Sequence, residues 1–209
     1  KGGIPCRIVR ISFSGELGYE VYIVSDYANT MMDLLWQQVQ NFNGCLYGLE
    51  ALGALRVEKG HVTGAELDGR VTIDDAGLEK MASTKKSYIG NAMRTRGVLK
   101  LEDREQLVGF FPVNKNQTFD AGTIVCEKND IRGFGIGRIT SVTHSPELGH
   151  WIGIGFISGG YRAWDGKRVI SADMTSFDFD AMNLAGNVVA IDSITVDIKP
   201  VRIRKLDVM

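Results

Sequence analysis

The sequence predicts an α+β fold in two parts: a hairpin and helices up to about residue 104, then a run of short strands that forms a small barrel or sandwich. Three observations predict it. Strand-type alternation near the start gives way to helical spacing of apolar residues between Ala28 and Glu58. Six β-rich stretches separated by glycine turns fill roughly the last 100 residues. Between the two patterns lies the charged tract Lys100-Leu101-Glu102-Asp103-Arg104-Glu105, read as a solvated connection and a domain boundary. The 209 residues, 44% of them hydrophobic, suffice for one large or two small domains with a real core.

The elements follow in order. Arg7–Ser12 and Tyr19–Ile23 are β-rich and alternate, with a short glycine-bounded loop between them, so Cys6 to Val24 is expected to form a hairpin. Met31, Leu34, Leu35 and Val39 fall at helical spacing over Ala28–Asn41, with Asp26 as the expected cap. A second helix is expected from Leu49 to about Glu58, stopped by Gly60, and a polar irregular stretch from His61 to Asp75 follows. A third helix is expected over Ser87–Arg96. The later strands are expected at Leu107–Phe111, Thr123–Glu127, Phe134–Val142, Trp151–Ile157, Lys167–Ser171 and Val188–Val201.

Composition narrows the partners. The 24 Lys plus Arg against 25 Asp plus Glu give a formal charge of −1 and no basic footprint for nucleic acid. The apolar stretches fall far short of the roughly 20 residues that a membrane-spanning helix needs. Cys6, Cys45 and Cys126 are odd in number and widely spaced, which argues against a disulfide framework or zinc site and fits a reducing cytoplasm. His61, His144 and His150 are too dispersed to form a readable metal set, so no metal ligand is expected. Ser145 beside His144 lacks the surroundings of a nucleophile elbow, and no catalytic residue is assigned. The carboxylates Asp74, Asp75, Asp178 and Asp180 are read as solvated. Gly133 to Gly137 lacks the strand-to-helix context of a dinucleotide fingerprint. The chain opens at Lys1 without an initiator methionine or leader and is expected to be a mature product or a piece of something longer.

The candidate site is Phe13-Ser14-Gly15-Glu16-Leu17-Gly18-Tyr19-Glu20. A tight connection places Glu20 on the returning strand with Phe13 opposite, so that one carboxylate and one ring face a common space. A carboxylate accepts at both oxygens and suits a heterocycle edge with adjacent N–H donors, while a ring covers a flat face. Solvation of an acidic strand residue is the competing use of Glu20. Arg56 and Glu58 are candidates for a charged ligand tail or lid, with an intramolecular ion pair at the helix end as the alternative.

This segment resembles the Tyr-Thr-Gly-Glu-Asp-Gly-Phe-Glu motif of the aminomethyltransferase (glycine-cleavage T-protein) family. Gly48-Leu49-Glu50-Ala51-Leu52 and Arg56-Val57-Glu58-Lys59-Gly60 are similar to its next two blocks, Gly-Leu-x-Ala-Arg and Arg-Leu-Glu-x-Gly. Ile139 to Gly149 with Ile152-Gly153-Ile154-Gly155 resembles its C-terminal barrel signature. The wording of Arg56–His61, Ser83–Gly90 and Leu148–Ile152 is closer to the C-terminal region of the heterotetrameric sarcosine oxidase α subunit family.

The resemblance implies the latter part of a folate-binding domain over 1–104, incomplete at its N-terminal side, and a small antiparallel β-barrel over 105–209. It implies that tetrahydrofolate captures the one-carbon unit of an oxidised N-methyl amine as 5,10-methylenetetrahydrofolate. Glu20, Phe13 and Arg56 become the folate-binding residues, with Glu20 on the pterin edge. FAD, FMN and NAD would sit in other regions or in sarcosine oxidase-type partner subunits, and the segment alone is expected to be inactive. Phe13 stands where the motif has a hydroxylated ring, and Leu52 stands where the glycine-cleavage branch has an arginine. Two alternatives remain. One is a fragment of a glycine-cleavage aminomethyltransferase; the other is a non-catalytic assembly module that contacts flavin subunits through Trp151–Ile157 and Phe177–Met182.

Overall fold

The computed structural model describes residues 3–127, 135–164, 168–172 and 193–199. Strands β1 (Cys6–Arg10) and β2 (Tyr19–Ile23) form the expected antiparallel hairpin, in a register running from Cys6 opposite Ile23 to Arg10 opposite Tyr19. Helix α1 (Ala28–Asn41) occupies the predicted span. Asp26 is not its cap: it lies within a 3₁₀ turn, Ser25–Tyr27, which runs directly into the helix, and Tyr27 takes the cap position. Helix α2 (Leu49–Lys59) ends at Gly60 in a left-handed conformation, φ 76°. The Gly60 N–H reaches Val57 O at 3.0 Å and the His61 N–H reaches Arg56 O at 2.8 Å, the paired bonds that close a helix C-terminus and favour glycine there.

The third predicted helix shrinks to one turn, α3 (Asn91–Arg94), followed by a 3₁₀ turn at Gly97–Lys100. Tyr88 and Ile89 stay outside it because Gly90, at φ 89°, breaks the helical path. The barrel strands are β3 (Glu105–Pro112), β4 (Ile124–Glu127), β5 (Gly137–Ser145), β6 (His150–Ser158), β7 (Arg168–Ala172) and β8 (Ser193–Lys199). A short helix that the sequence reading did not foresee, α4 (Gly160–Trp164), follows β6. The strands form a closed antiparallel barrel in the order β3-β6-β5-β4-β7-β8, with β8 returning to β3. Closure removes exposed sheet edges, the usual liability of small β structures. The chain is therefore α+β, with a small antiparallel barrel as its second part.

Inside the barrel, Val108, Phe110, Phe119, Val125, Ile139 and Ile157 form the buried core. Strand β6 needs glycine on its inward face: a Cβ on Gly155 would stand 2.1 Å from Arg138 O. The opposite face of β6 carries Ile152 and Ile154, which pack with Val57 of α2, so the helix docks on the barrel wall. Removing the side chain of Ile154 to alanine at such a site costs about 2–5 kcal/mol.

This packing corrects the interface reading of Trp151–Ile157, since Ile152, Ile154, Phe156 and Ile157 are fully buried within the chain itself. Asp75 is also not solvated: it is buried, accepts from Arg104 Nε at 2.9 Å and from Thr72 N at 2.8 Å, and binds Arg104 Nη2 as well. Asp74 pairs with Arg94 at 2.5 Å. The charged tract from Lys100 is thus partly engaged with the preceding segment through Arg104. Asp178, Asp180 and Phe177–Met182 lie outside the described residues.

Candidate functional site

Alternation along the hairpin puts Glu20 and Tyr22 on one face of β2, opposite Val9 and Arg7 respectively. Glu20 is exposed, and the Tyr22 hydroxyl donates to its Oε2. That hydrogen bond and the adjacent negative charge raise the Tyr22 phenol above its ordinary value. The donor orients the carboxylate, while an ionised carboxylate has about four lone-pair directions and keeps acceptor capacity for a ligand edge. Tyr22 was missed in the sequence, although the i, i+2 rule was sufficient to place it beside Glu20.

Phe13 is not opposite Glu20. The register gives that place to Val9, and Phe13 stands beyond the end of β1 in the connecting loop, 36% exposed. Its ring meets the His61 imidazole at 4.7 Å between centroids, tilted by 55°. Lys59 Nζ donates to Ser12 O at 2.7 Å, and the loop closes on itself through the Gly15 N–H to Ser12 Oγ, 3.0 Å. Two residues flanking Gly60 thus grip the loop that carries Phe13. Burial and the positive charges of Lys59 and Arg56 lower the His61 pKa against a weaker opposing pull from Glu66, leaving the ring neutral at pH 7.

Arg56 points to the barrel. Its Nη1 lies 3.1 Å from Glu66 Oε2 and 3.3 Å from His61 O, and its Nη2 donates to Ser141 Oγ at 2.7 Å. Glu66 is fully buried. Its Oε2 also accepts from Thr63 N at 2.8 Å and Thr63 Oγ1 at 3.1 Å, while Thr140 Oγ1 and Ser141 Oγ reach its Oε1 at 2.7 and 2.6 Å. Burial alone would push this carboxyl upward, but the hydrogen bonds and the Arg56 charge outweigh it and the pKa is lowered. Two residues beyond Arg56, buried Glu58 accepts from Ser145 Oγ at 2.5 Å. Helix α2 is therefore fastened to β5 by two buried carboxylates, Glu58 from the helix itself and Glu66 from the turn after it. No local pattern marks Glu66, which lies in a polar stretch with its β5 partners far along the chain.

The remaining candidates have structural partners. His144 packs edge-on against Trp151 at 5.9 Å, and His150 against Phe111 at 5.5 Å. Among the described residues no group of three or more His, Cys, Asp or Glu is placed to hold a metal ion. Ser145 is buried against Glu58. Asp74, Asp75, Arg94, Lys100, Arg104 and Gln106 line a cleft of about 500 Å³ beside the start of β3. Its two arginines are committed to the two aspartates. No described helix is long and apolar enough to cross a membrane.

Residues 1–86 match the GCVT N-terminal domain, and residues 105–177 match the glycine cleavage T-protein C-terminal barrel domain. The chain belongs to the glycine cleavage T-protein family. It is similar to the sarcosine oxidase subunit alpha of Rhizobium meliloti, 36% identical over 172 residues, covering 81% of this chain and 17% of that protein. The aminomethyltransferase of Chloroherpeton thalassium is 30% identical over 166 residues, covering 78% of this chain and 44% of that protein. The crystal structure of the glycine cleavage system aminomethyltransferase T from Bartonella henselae superposes with a TM-score of 0.73 at 20% identity, over 94% of this chain and 49% of that one. The chain thus spans less than half the length of these relatives.

Proposed function

We propose that this chain is the folate-handling region of a sarcosine oxidase-type α subunit, with two domains over 1–104 and 105–209. The observation that carries the reading is an exposed carboxylate at Glu20, oriented by Tyr22, on the same hairpin whose connecting loop carries the exposed ring of Phe13, in a family whose motif blocks this chain retains in order. Glu20 accepts from the N–H edge of the pterin and Phe13 covers its face. Tetrahydrofolate, when bound, supplies the amine nitrogens that accept the one-carbon unit of an oxidised N-methyl amine, with 5,10-methylenetetrahydrofolate as product. Arg56 is the third proposed folate residue. With its guanidinium held by Glu66 and Ser141, it acts by fixing the end of α2 beside the ligand loop.

The folate domain is incomplete over 1–104. Leu34, Leu35, Phe42 and Tyr47 are exposed, and in this reading the remainder of that domain covers them. FAD, FMN and NAD belong to other regions of the parent protein or to its partner subunits, in the cytoplasm. Titration calorimetry with 5-formyltetrahydrofolate tests the reading. The full-length protein should bind at micromolar concentration or better, and the isolated 209-residue chain more weakly. Absence of binding by the full-length protein overturns it, and micromolar binding by the isolated chain overturns the incompleteness.

A further inference from the structure

Loop residues 11–18 join β1 to β2 and carry Phe13, yet Ile11, Phe13, Glu16 and Leu17 are exposed and the loop contributes nothing to either hydrophobic cluster. An unsupported loop of this kind samples many side-chain directions, and a ring that must cover a flat ligand then loses affinity through ordering. Contacts from the end of α2 restrain it from outside. Lys59 Nζ holds Ser12 O at 2.7 Å, and the aliphatic stem of Lys59 covers Gly15, whose Cβ position would lie 3.4 Å from Lys59 Cδ. His61 lies against the Phe13 ring at 4.7 Å. The left-handed Gly60 turns the chain so that both neighbours meet the loop. The same helix end is anchored to β5 through Arg56, Glu66 and Ser141.

We infer that Lys59 and His61 are positioning residues for ligand binding: Lys59 fixes the loop backbone and His61 sets the plane of the Phe13 ring. The inference rests on the reading of Phe13 as a folate contact. His61 acts through Phe13, so the two side chains form one unit whose effects on binding are not additive. The neutral state of His61 at pH 7 suits ring packing against an apolar partner.

The test is calorimetric titration of the full-length protein with 5-formyltetrahydrofolate. Phe13→Ala should weaken binding about tenfold, the size of one lost ring contact. His61→Leu should weaken it about threefold to tenfold, His61→Phe should restore it to within about twofold, and Lys59→Met should weaken it about threefold. The double variant Phe13→Ala/His61→Leu should bind no more weakly than Phe13→Ala alone. If His61→Leu binds like the wild type while Phe13→Ala does not, or if the two losses add, the positioning role is overturned and the folate reading stands. If neither Phe13→Ala nor Glu20→Gln changes affinity, the folate reading itself fails. A loss with His61→Leu that His61→Phe does not recover also overturns the role assigned to the ring.

Discussion

Thr140 and Ser141 are consecutive residues of β5, and both hydroxyls reach the same oxygen of Glu66, at 2.7 and 2.6 Å. Neighbouring strand residues ordinarily face opposite sides of a sheet. Here the pairing with β6 jumps from Ile139 opposite Gly155 to Ser141 opposite Ile154, which leaves Thr140 as the extra residue of a bulge and turns both hydroxyls toward the buried carboxylate. Ser141→Ala removes a donor to Glu66 and an acceptor for Arg56, and should cost about 1–3 kcal/mol in urea unfolding. An unchanged midpoint would mean that the bulge does not serve this carboxylate.

Arg56 and Glu66 are expected to fail together more gently than apart. Glu66→Leu leaves the Arg56 guanidinium, 14% exposed, without its carboxylate, and should destabilise by about 3–5 kcal/mol. Arg56→Met added to that variant should recover part of the loss. Denaturant unfolding of the two singles and the double checks this, and strict additivity of the losses would contradict it.

The same carboxylates set the acid response. Glu66, Asp74 and Asp75 all have pKa values lowered in the folded chain, so their contribution to stability is complete above the unfolded carboxylate values, 4.5 for Glu66 and 3.8 for the aspartates. It is lost as the pH falls through the folded values. Unfolding free energy measured from neutral pH downward should therefore drop in acid, and Glu66→Gln should flatten part of that drop. A parallel curve for the variant would contradict the assignment.

Gly155 offers a packing test. Its missing side chain lets β5 and β6 approach, and Gly155→Ala should cost at least about 1–3 kcal/mol because the contacting atoms are backbone. Thermal unfolding would show it, and a neutral result would mean that the barrel wall yields more readily than its spacing implies.

Local pattern explains which parts of the fold the sequence disclosed. The hairpin, α1 and α2 follow from alternation, helical spacing and the stop at Gly60, all of which act within a few residues. The barrel strands followed from β-rich runs between glycines, although β5 runs three residues further along than expected at both ends, Gly137–Ser145 against Phe134–Val142, because its pairing with β6 decides its limits. What stayed hidden depends on distant partners. Glu66 meets Ser141 75 positions away, and Asp75 meets Arg104 29 positions away, so both carboxylates looked solvated or unremarkable in one dimension. At the candidate site, Glu20 and Phe13 could be named from their motif. The Tyr22 donor followed from alternation and was overlooked, and the His61 contact required the turn of the chain at Gly60.

Tyr22 reports on Glu20 without any ligand. Because the carboxylate raises the phenol, Glu20→Gln should shift Tyr22 ionisation toward its ordinary value of 10.0. An ultraviolet pH titration, with Tyr22→Phe as the reference, reads this directly. No shift would mean that the two side chains do not meet in solution.

In the proposed function, Glu20 holds the edge of a folate pterin. The most direct measurement compares the wild type and Glu20→Gln in the full-length protein by titration with 5-formyltetrahydrofolate, since the amide keeps the shape but loses the charge and half of the acceptor capacity. A charge-assisted hydrogen bond contributes about 1.5–3 kcal/mol, so the variant should bind at least about tenfold more weakly. Equal affinity of the two proteins would mean that Glu20 does not hold the pterin edge.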